Sequence, residues 1–209
     1  MAQYFSIHPQ NPQPRLIRQA AEILRAGGVI VYPTDSCYAL GCRIGDKDAM
    51  ERIRDIRGVD EKHHFTLVCR DVSEIAHYAR VDNRQFRLIR SAFPGSYTFI
   101  LEATKEVPRR LQHPKRRTIG VRIPEHPVAI ALLAELGEPI LSSTLLLPGD
   151  DHPLNDAEEI RERLERRVGL IMDSGSCGFA MTTVLDITGD STVVLREGKG
   201  DLVRLGLAA

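Results

Sequence analysis

The chain is 209 residues long, 43% hydrophobic and 27% charged, with 28 Lys and Arg balanced by 28 Asp and Glu. That size suits a single domain over residues 1–209, and the composition excludes disordered, collagen-like and membrane classes, because no apolar run nears the roughly 18 residues a bilayer span requires. The N-terminus MAQYFSIHPQ carries no leader pattern and the four Cys form no Cys-x-x-Cys pair, so the expected location is cytoplasmic with reduced thiols.

Periodicity maps the chain in order. A helix is expected over 14–26, with Leu16, Ala20, Ile23 and Leu24 inward and Gly27-Gly28 as its stop, followed by a buried strand VIVY at 29–32. Asp46 caps a helix at 47–57 with Met50, Ile53 and Ile56 inward, and FTLVC at 65–69 is a strand. Asp71 and Asp82 start two short helices that end by Phe93; Pro94-Gly95 is a turn before the strand YTFILEA at 97–103. A strand at 118–123, a helix at 127–136 closed by Gly137 and a strand at 139–144 come next. Asp156 caps an amphipathic helix at 157–167, and VGLIMD, TVLDIT and TVVLRE supply three more strands. The alternation predicts an α/β single domain built on a twisted, open, mixed sheet flanked by helices.

Zero net charge argues against a broadly basic surface and confines any polyanion contact to a local patch. The candidate patch is Lys105, Arg109, Arg110, Lys115, Arg116 and Arg117, opposed within that stretch only by Glu106; a solvated surface segment is the other reading.

Phosphate-loop, dinucleotide, zinc-protease and nucleophile-elbow motifs are absent from the sequence. The His residues are scattered, and the neighbours His63 and His64 would point to opposite sides of an extended chain, so no metal site is expected. Cys37 and Cys42 lack a nearby base, which argues against cysteine catalysis. The informative segment is VIVYPTDSCYALG at 29–41, where an apolar strand delivers Pro33, Thr34 and Asp35 to its carboxyl end, the ligand-binding edge of open α/β sheets. From the residues alone, Thr34 and Asp35 either meet a ligand or only build the turn.

The segment PTDSCYALG resembles the Pro-Thr-Asp/Glu signature of the YrdC-like family, whose characterised members make threonylcarbamoyl-AMP for the t6A modification of tRNA. Further blocks follow in the family's order: Arg57 at the first base of a Lys-x-Arg motif, FPGSYTFIL at 93–101, TIGVRIPEHP at 118–127, TTVLD at 182–186 and LREG at 195–198. The stretches IHPQNPQPRLI, AMERI, TKEVPRRL and REGKGD are similar to its YciO branch.

The resemblance implies a YrdC-like fold and a reaction joining L-threonine, bicarbonate and ATP, the ATP entering as substrate with Mg2+, and no protein-bound metal. It implies a substrate pocket with Thr34, Arg122, Thr144 and Thr182, and nucleotide contacts from Arg57, Thr118 and Arg196. Thr98 and Asp186 are assigned to supporting strands, and no residue is assigned as catalytic. Lys62, His63 and His64 occupy the loop where the synthases place a Lys or Asn, and either reach phosphate or lie in solvent. Two departures stand out. The second base of Lys-x-Arg is Val59, and a Ser-x-Asn pair becomes Thr144 and Leu146, which points to weak synthase activity or to a reshaped pocket. A catalytically inert protein that binds tRNA or double-stranded RNA through the basic patch is the alternative.

Overall fold

A computed structural model describes residues 1–61, 63–93 and 95–207. Ten strands form one mixed sheet: β1 (Gln3–Ser6), β2 (Ile30–Tyr32), β3 (Ala39–Arg43), β4 (Thr66–Val68), β5 (Tyr97–Glu102), β6 (Thr118–Arg122), β7 (Ile140–Thr144), β8 (Leu170–Asp173), β9 (Thr183–Asp186) and β10 (Val193–Arg196). Their spatial order is β1-β8-β2-β3-β7-β4-β6-β5-β9-β10. The pairs β1/β8, β2/β8, β4/β6 and β5/β9 are parallel; β2/β3, β3/β7, β4/β7, β5/β6 and β9/β10 are antiparallel. The expected mixed sheet is therefore present. Two of its strands, β1 and β3, have no counterpart among the expected elements. The strand β1 is only half-buried, and β3 begins inside the segment that the motif reading treated as loop.

Six helices complete the fold: α1 (Pro14–Arg25), α2 (Lys47–Arg57), α3 (Val72–Tyr78), α4 (Asn83–Ala92), α5 (Pro127–Leu136) and α6 (Ala157–Leu164). The side chains of Asp46, Asp71, Asp82 and Asp156 each accept a backbone N–H and cap α2, α3, α4 and α6 as the sequence predicts. Two expectations need correction. The buried face of α1 is Ile17, Ala20, Ala21 and Leu24, with Leu16 and Ile23 only at its flank, a rotation of the apolar stripe by about one position. The helix at 157 stops at Leu164, after which the Arg167 N–H closes a tighter three-residue turn on the Leu164 carbonyl. The Pro94 half of the expected Pro94-Gly95 turn lies outside the described residues. Among the described residues no helix is long and apolar enough to cross a membrane.

Strand alternation divides the sheet into two faces. One face presents Val31, Leu67, Phe99, Val121, Leu141, Ile171 and Leu185 to α2, α3, α4 and α6, and is buried along its length. The other presents Ile30, Tyr32, Leu170 and Met172 to the packed pair α1 and α5. That pair covers the β1-β8-β2-β3 side and reaches one end of β7 and β4 through Ile140 and Val68. Further along, toward β6, β5, β9 and β10, no helix among the described residues packs on the same face, and there its residues change character.

Candidate functional site

On the uncovered half-face most outward residues of adjacent strands are small or polar, with Ile100 and Val184 as apolar exceptions. Thr66 pairs with Ser142 on one side and Gly120 on the other, Gly120 pairs with Ile100, and Thr98 pairs with Val184. A Cβ at Gly120 would lie 3.3 Å from Thr66 Oγ1 and 3.4 Å from Thr98 Cγ2, so the glycine keeps the floor low. These residues floor a cavity of about 290 Å³, walled by the 34–37 turn, the end of α2, the 63–65 loop and the start of β9 with β10. Arg57, Arg122 and Arg196 all line it, as do Thr34, Thr144 and Thr182. Six of the seven residues assigned to substrate and nucleotide thus meet in one place. The seventh, Thr118, lines an adjoining hollow of about 90 Å³ with His64, His113, Arg116 and Leu195.

Each arginine is held. Arg122 donates from Nη2 to Asp35 Oδ1 at 2.7 Å and from Nη1 to Ser36 Oγ at 3.2 Å. Asp35 Oδ2 accepts from Ser96 Oγ at 2.5 Å, and Oδ1 also accepts the Glu125 N–H at 3.0 Å. Burial alone would raise the Asp35 carboxyl; Arg122, the Ser96 hydroxyl and the Glu125 N–H outweigh it and hold the group below the usual carboxylate range. Arg57 reaches from the last residue of α2, donating from Nη1 to Ser143 Oγ at 3.0 Å and to the Thr144 carbonyl. Arg196 donates from Nε to the Thr182 carbonyl at 3.0 Å and from Nη2 to Thr182 Oγ1 at 3.2 Å. Burial lowers the pKa of Arg57 and of Arg196, a sign that both cations are drawn partly out of water. The buried Nε atoms of Arg57 and Arg122 have no hydrogen-bond partner, so each keeps a donor in reserve.

Geometry separates the two readings of the Thr34-Asp35 turn. Thr34 Oγ1 donates to the Cys37 carbonyl at 2.6 Å and accepts from the Ser36 and Cys37 N–H groups at 3.2 and 3.3 Å. Its hydroxyl builds the turn, and only its flank lines the cavity. Asp35 is not among the cavity's lining residues: its carboxylate accepts from Arg122, and its backbone carbonyl accepts from Lys199. Thr182 shares a hydroxyl contact of 2.9 Å with Thr98, which lies in the floor itself as well as supporting the strand. Asp186 pairs with Arg116 at 2.6 Å, outside the cavity.

Several lining residues were not legible as site residues. Ser142 shares a strand face with Thr144, and alternation along the strand could have found it. Ser143 lies on the opposite side of β7, where Arg57 and His63 reach it, and neither alternation nor motif spacing marks it. His63 and His64 do not diverge as expected: both line the cavity, His63 Nε2 at 3.0 Å from Ser143 Oγ and His64 stacked on His113 with centroids 5.1 Å apart. Lys62 lies outside the described residues. Cys37 is buried in the cavity wall, and burial pushes its thiol up, which agrees with the absence of a thiolate nucleophile. Among the described residues no cluster of His, Cys, Asp and Glu suited to a metal ion is found, and no Asp or Glu lines the cavity.

The basic patch forms a second, separate concavity. Lys105, Arg109, Arg116 and Arg117 line a groove of about 610 Å³ together with Arg80, Gln112 and His113, with Glu102 as its one acidic wall residue. Arg117 holds φ at +53°, a left-handed conformation that is uncommon for residues other than Gly, Asn and Asp. Arg110 donates to the Gly45 carbonyl, and Arg116 is engaged by Asp186, so these two are less free than the sequence suggests.

Fold and cavity together define a mixed α/β protein with a polar, arginine-lined cavity on the open half of one sheet face. A family model described as telomere recombination (Sua5, YciO and YrdC) matches residues 22–198. YciO of Escherichia coli (strain K12) is 59% identical over 202 residues, covering 97% of this chain and 98% of its own. Its crystal structure superposes with a TM-score of 0.94. A threonylcarbamoyl-AMP synthase of Halorhodospira halophila is 31% identical over 84% of this chain and 91% of its own. The structure of P. abyssi Sua5 complexed with L-threonine has a TM-score of 0.85 at 25% identity, covering 93% of this chain and 57% of that one. The chain belongs to the Sua5/YciO/YrdC family.

Proposed function

We propose that the chain binds ATP and L-threonine in the arginine-lined cavity and forms L-threonylcarbamoyl-AMP from L-threonine, bicarbonate and ATP, in service of tRNA t6A modification. The observation that carries this reading is the convergence of Arg57, Arg122 and Arg196 with Thr144 and Thr182 on one 290 Å³ cavity. The names of two relatives, a threonylcarbamoyl-AMP synthase and a Sua5 crystallised with L-threonine, support it. In this reaction a carbamate oxygen of N-carboxythreonine attacks the α-phosphorus. The new O–P bond forms as the bridge to the β-phosphate breaks, and pyrophosphate leaves with the bond's electron pair. Arg57 and Arg196 would neutralise the polyphosphate, while Arg122, fixed by Asp35, would hold the amino-acid end. A cavity of this size lies at the low end of small-molecule sites, roughly 300–1,000 Å³, so it suits the threonine and phosphates, with adenosine over the open rim at Leu195. No free carboxylate lines the cavity, so Mg2+ would arrive bound to the polyphosphate.

Val59 and Leu146 set the expected efficiency. Each removes a polar contact of the sort worth about 1.5–3 kcal/mol, or roughly one to two decades in rate or affinity. The test is formation of pyrophosphate and of an AMP conjugate from ATP, bicarbonate and L-threonine, in wild type and Arg122→Ala. Slow product formation that Arg122→Ala abolishes is the expected result. No product at high enzyme concentration together with no ATP binding would sink the proposal.

The basic groove favours a second reading, the contact of a structured RNA, tRNA or a duplex, with the cations around Lys105 and Arg109. Such binding depends on salt and is nearly blind to sequence. Because Arg116 is engaged by Asp186, the discriminating variant is Lys105→Glu with Arg109→Glu. It should weaken tRNA binding and flatten its log-log salt slope by about two; unchanged affinity removes the groove from the account.

A further inference from the structure

His63, Ser143 and Arg57 form a cluster in the cavity wall at the end of α2. Arg57 Nη1 and His63 Nε2 each lie 3.0 Å from the same atom, Ser143 Oγ. A hydroxyl has one proton and two lone pairs, and Arg57 can only donate. One lone pair is therefore taken by Arg57. With neutral His63 bearing its proton on Nδ1, the Ser143 hydroxyl points its proton at Nε2. With His63 protonated on both nitrogens, Nε2–H fills the second lone pair, and the Ser143 O–H must turn away, toward the cavity that Ser143 lines. One added proton thus supplies the cavity with both a positive charge and a hydroxyl donor.

The surroundings keep that proton off in the free protein. Burial lowers the imidazole to about 4, with Arg57, His64 and Arg54 pushing the same way and Asp60 opposing. Arg54 and Arg57 come from α2, Asp60 and His64 from its own loop, Ser143 from β7, and the edge of the His63 ring meets Phe65 with centroids 5.4 Å apart. Across the cavity stand Arg122 and Arg196, again positive. A phosphoryl group against Arg57 would set negative charge beside the imidazole and oppose this local field.

We propose that His63 is a cation created by its ligand: neutral in the free protein, it takes up one proton when a phosphoryl group settles against Arg57, and so adds a positive charge to that wall of the cavity. The inference rests on the nucleotide reading of the cavity and adds to it a residue and a coupling. By linkage, a proton taken up on binding makes affinity rise as pH falls, by at most about one decade per pH unit. The ligand's own titration is common to wild type and variant and cancels in their ratio.

The experiment is isothermal titration calorimetry of Mg-ATP and of inorganic pyrophosphate, at pH 6.5, in two buffers of different ionisation enthalpy. Wild type should take up more protons per ligand than His63→Gln, by a difference approaching one, and threonine alone should show no such difference. Between pH 8 and pH 6 the affinity ratio of wild type to His63→Gln should grow by roughly tenfold or more. Because a glutamine could perturb the loop, the imidazole is also followed by NMR in wild type. Its titration should lie below pH 5 in the free protein and move above pH 7 with saturating pyrophosphate. Equal proton counts with both ligands bound, or an imidazole that titrates alike with and without pyrophosphate, overturns the inference and leaves the nucleotide reading standing. Absence of binding by both ligands overturns the two together.

Discussion

Replacing Asp35 by Ala tests the central electrostatic feature of the site. The Arg122 and Asp35 side chains are only 9% and 10% exposed and lie 2.7 Å apart. The substitution removes the ion pair, the 2.5 Å Ser96 contact and the acceptor of the Glu125 N–H, and leaves a buried guanidinium with Ser36 alone. Breaking one side of such a pair costs about 3–5 kcal/mol, because the surviving charge stays desolvated. For a chain of this length about 2–4 °C of Tm accompanies each kcal/mol, so a fall of roughly 6–20 °C is expected. Urea unfolding at pH 7 reads the free energy directly. Removing both partners, as Asp35→Ala with Arg122→Met, should recover part of the loss, since no orphaned charge remains. The pH dependence has a definite sign. The folded carboxyl sits below its unfolded value near 3.8, so the pair's contribution is complete above that pH and disappears as pH falls through the folded value. Wild type and Asp35→Ala should therefore converge only in strong acid. A loss under about 1 kcal/mol at pH 7, or strictly additive single and double variants, would refute the reasoning.

Three further outcomes follow from the geometry. Arg57→Ala should weaken ATP binding by roughly one to two decades, the worth of a charge-assisted contact, with little change in the Kd for threonine; equal effects on both ligands would detach Arg57 from the phosphates. Gly198→Ala would put a Cβ 2.3 Å from the Met181 carbonyl oxygen and 2.7 Å from the Thr182 carbonyl, backbone that cannot yield cheaply. It should cost about 1–3 kcal/mol in urea unfolding and disturb the Arg196 to Thr182 contacts, weakening ligand binding as well. Cys37, only 2% exposed and with its thiol raised by burial, should resist iodoacetamide at pH 8 in the native protein and react on unfolding; labelling at the rate of a free thiol would contradict its placement.

The parts of the fold that the sequence made legible are those where one local rule acts alone. Asp46, Asp71, Asp82 and Asp156 cap their helices because a carboxylate before an apolar-periodic run has few better partners than the free N–H groups. The elements β1 and β3 were illegible for a shared reason. Neither announces itself by alternation, and each is defined by its neighbours, β1 by β8 and β3 by β2 and β7. The site divides in the same way. Motif order brought Arg57, Arg122, Arg196, Thr144 and Thr182 together correctly, whereas what each one does depends on partners distant in sequence. Asp35 and Arg122 are 87 residues apart and Ser143 and His63 are 80 apart, separations at which no spacing rule operates.

The location of the cavity follows from a change of composition along one sheet face. Under α1 and α5 that face carries Ile30, Tyr32, Leu170 and Met172, large enough to hold two helices by apolar burial. Past Ile140 and Val68, which still pack with these residues, the outward positions become Ser142, Thr66, Gly120 and Thr98, which offer little apolar area to a covering helix and a row of hydroxyls to a polar ligand. The same substitution of small and polar for large and apolar both withholds a lid and equips the floor. The arginines then arrive from the rim, Arg57 and Arg196 drawn partly out of water and Arg122 almost wholly, and each is oriented by a neighbour on another element. This is how a chain of zero net charge presents a positive site: 28 cations balance 28 anions overall, while the cavity wall carries three arginines and no carboxylate of its own. The charge that a polyanion meets is set by that local exclusion of acids, and it would survive any change in the surface charges far from the cavity.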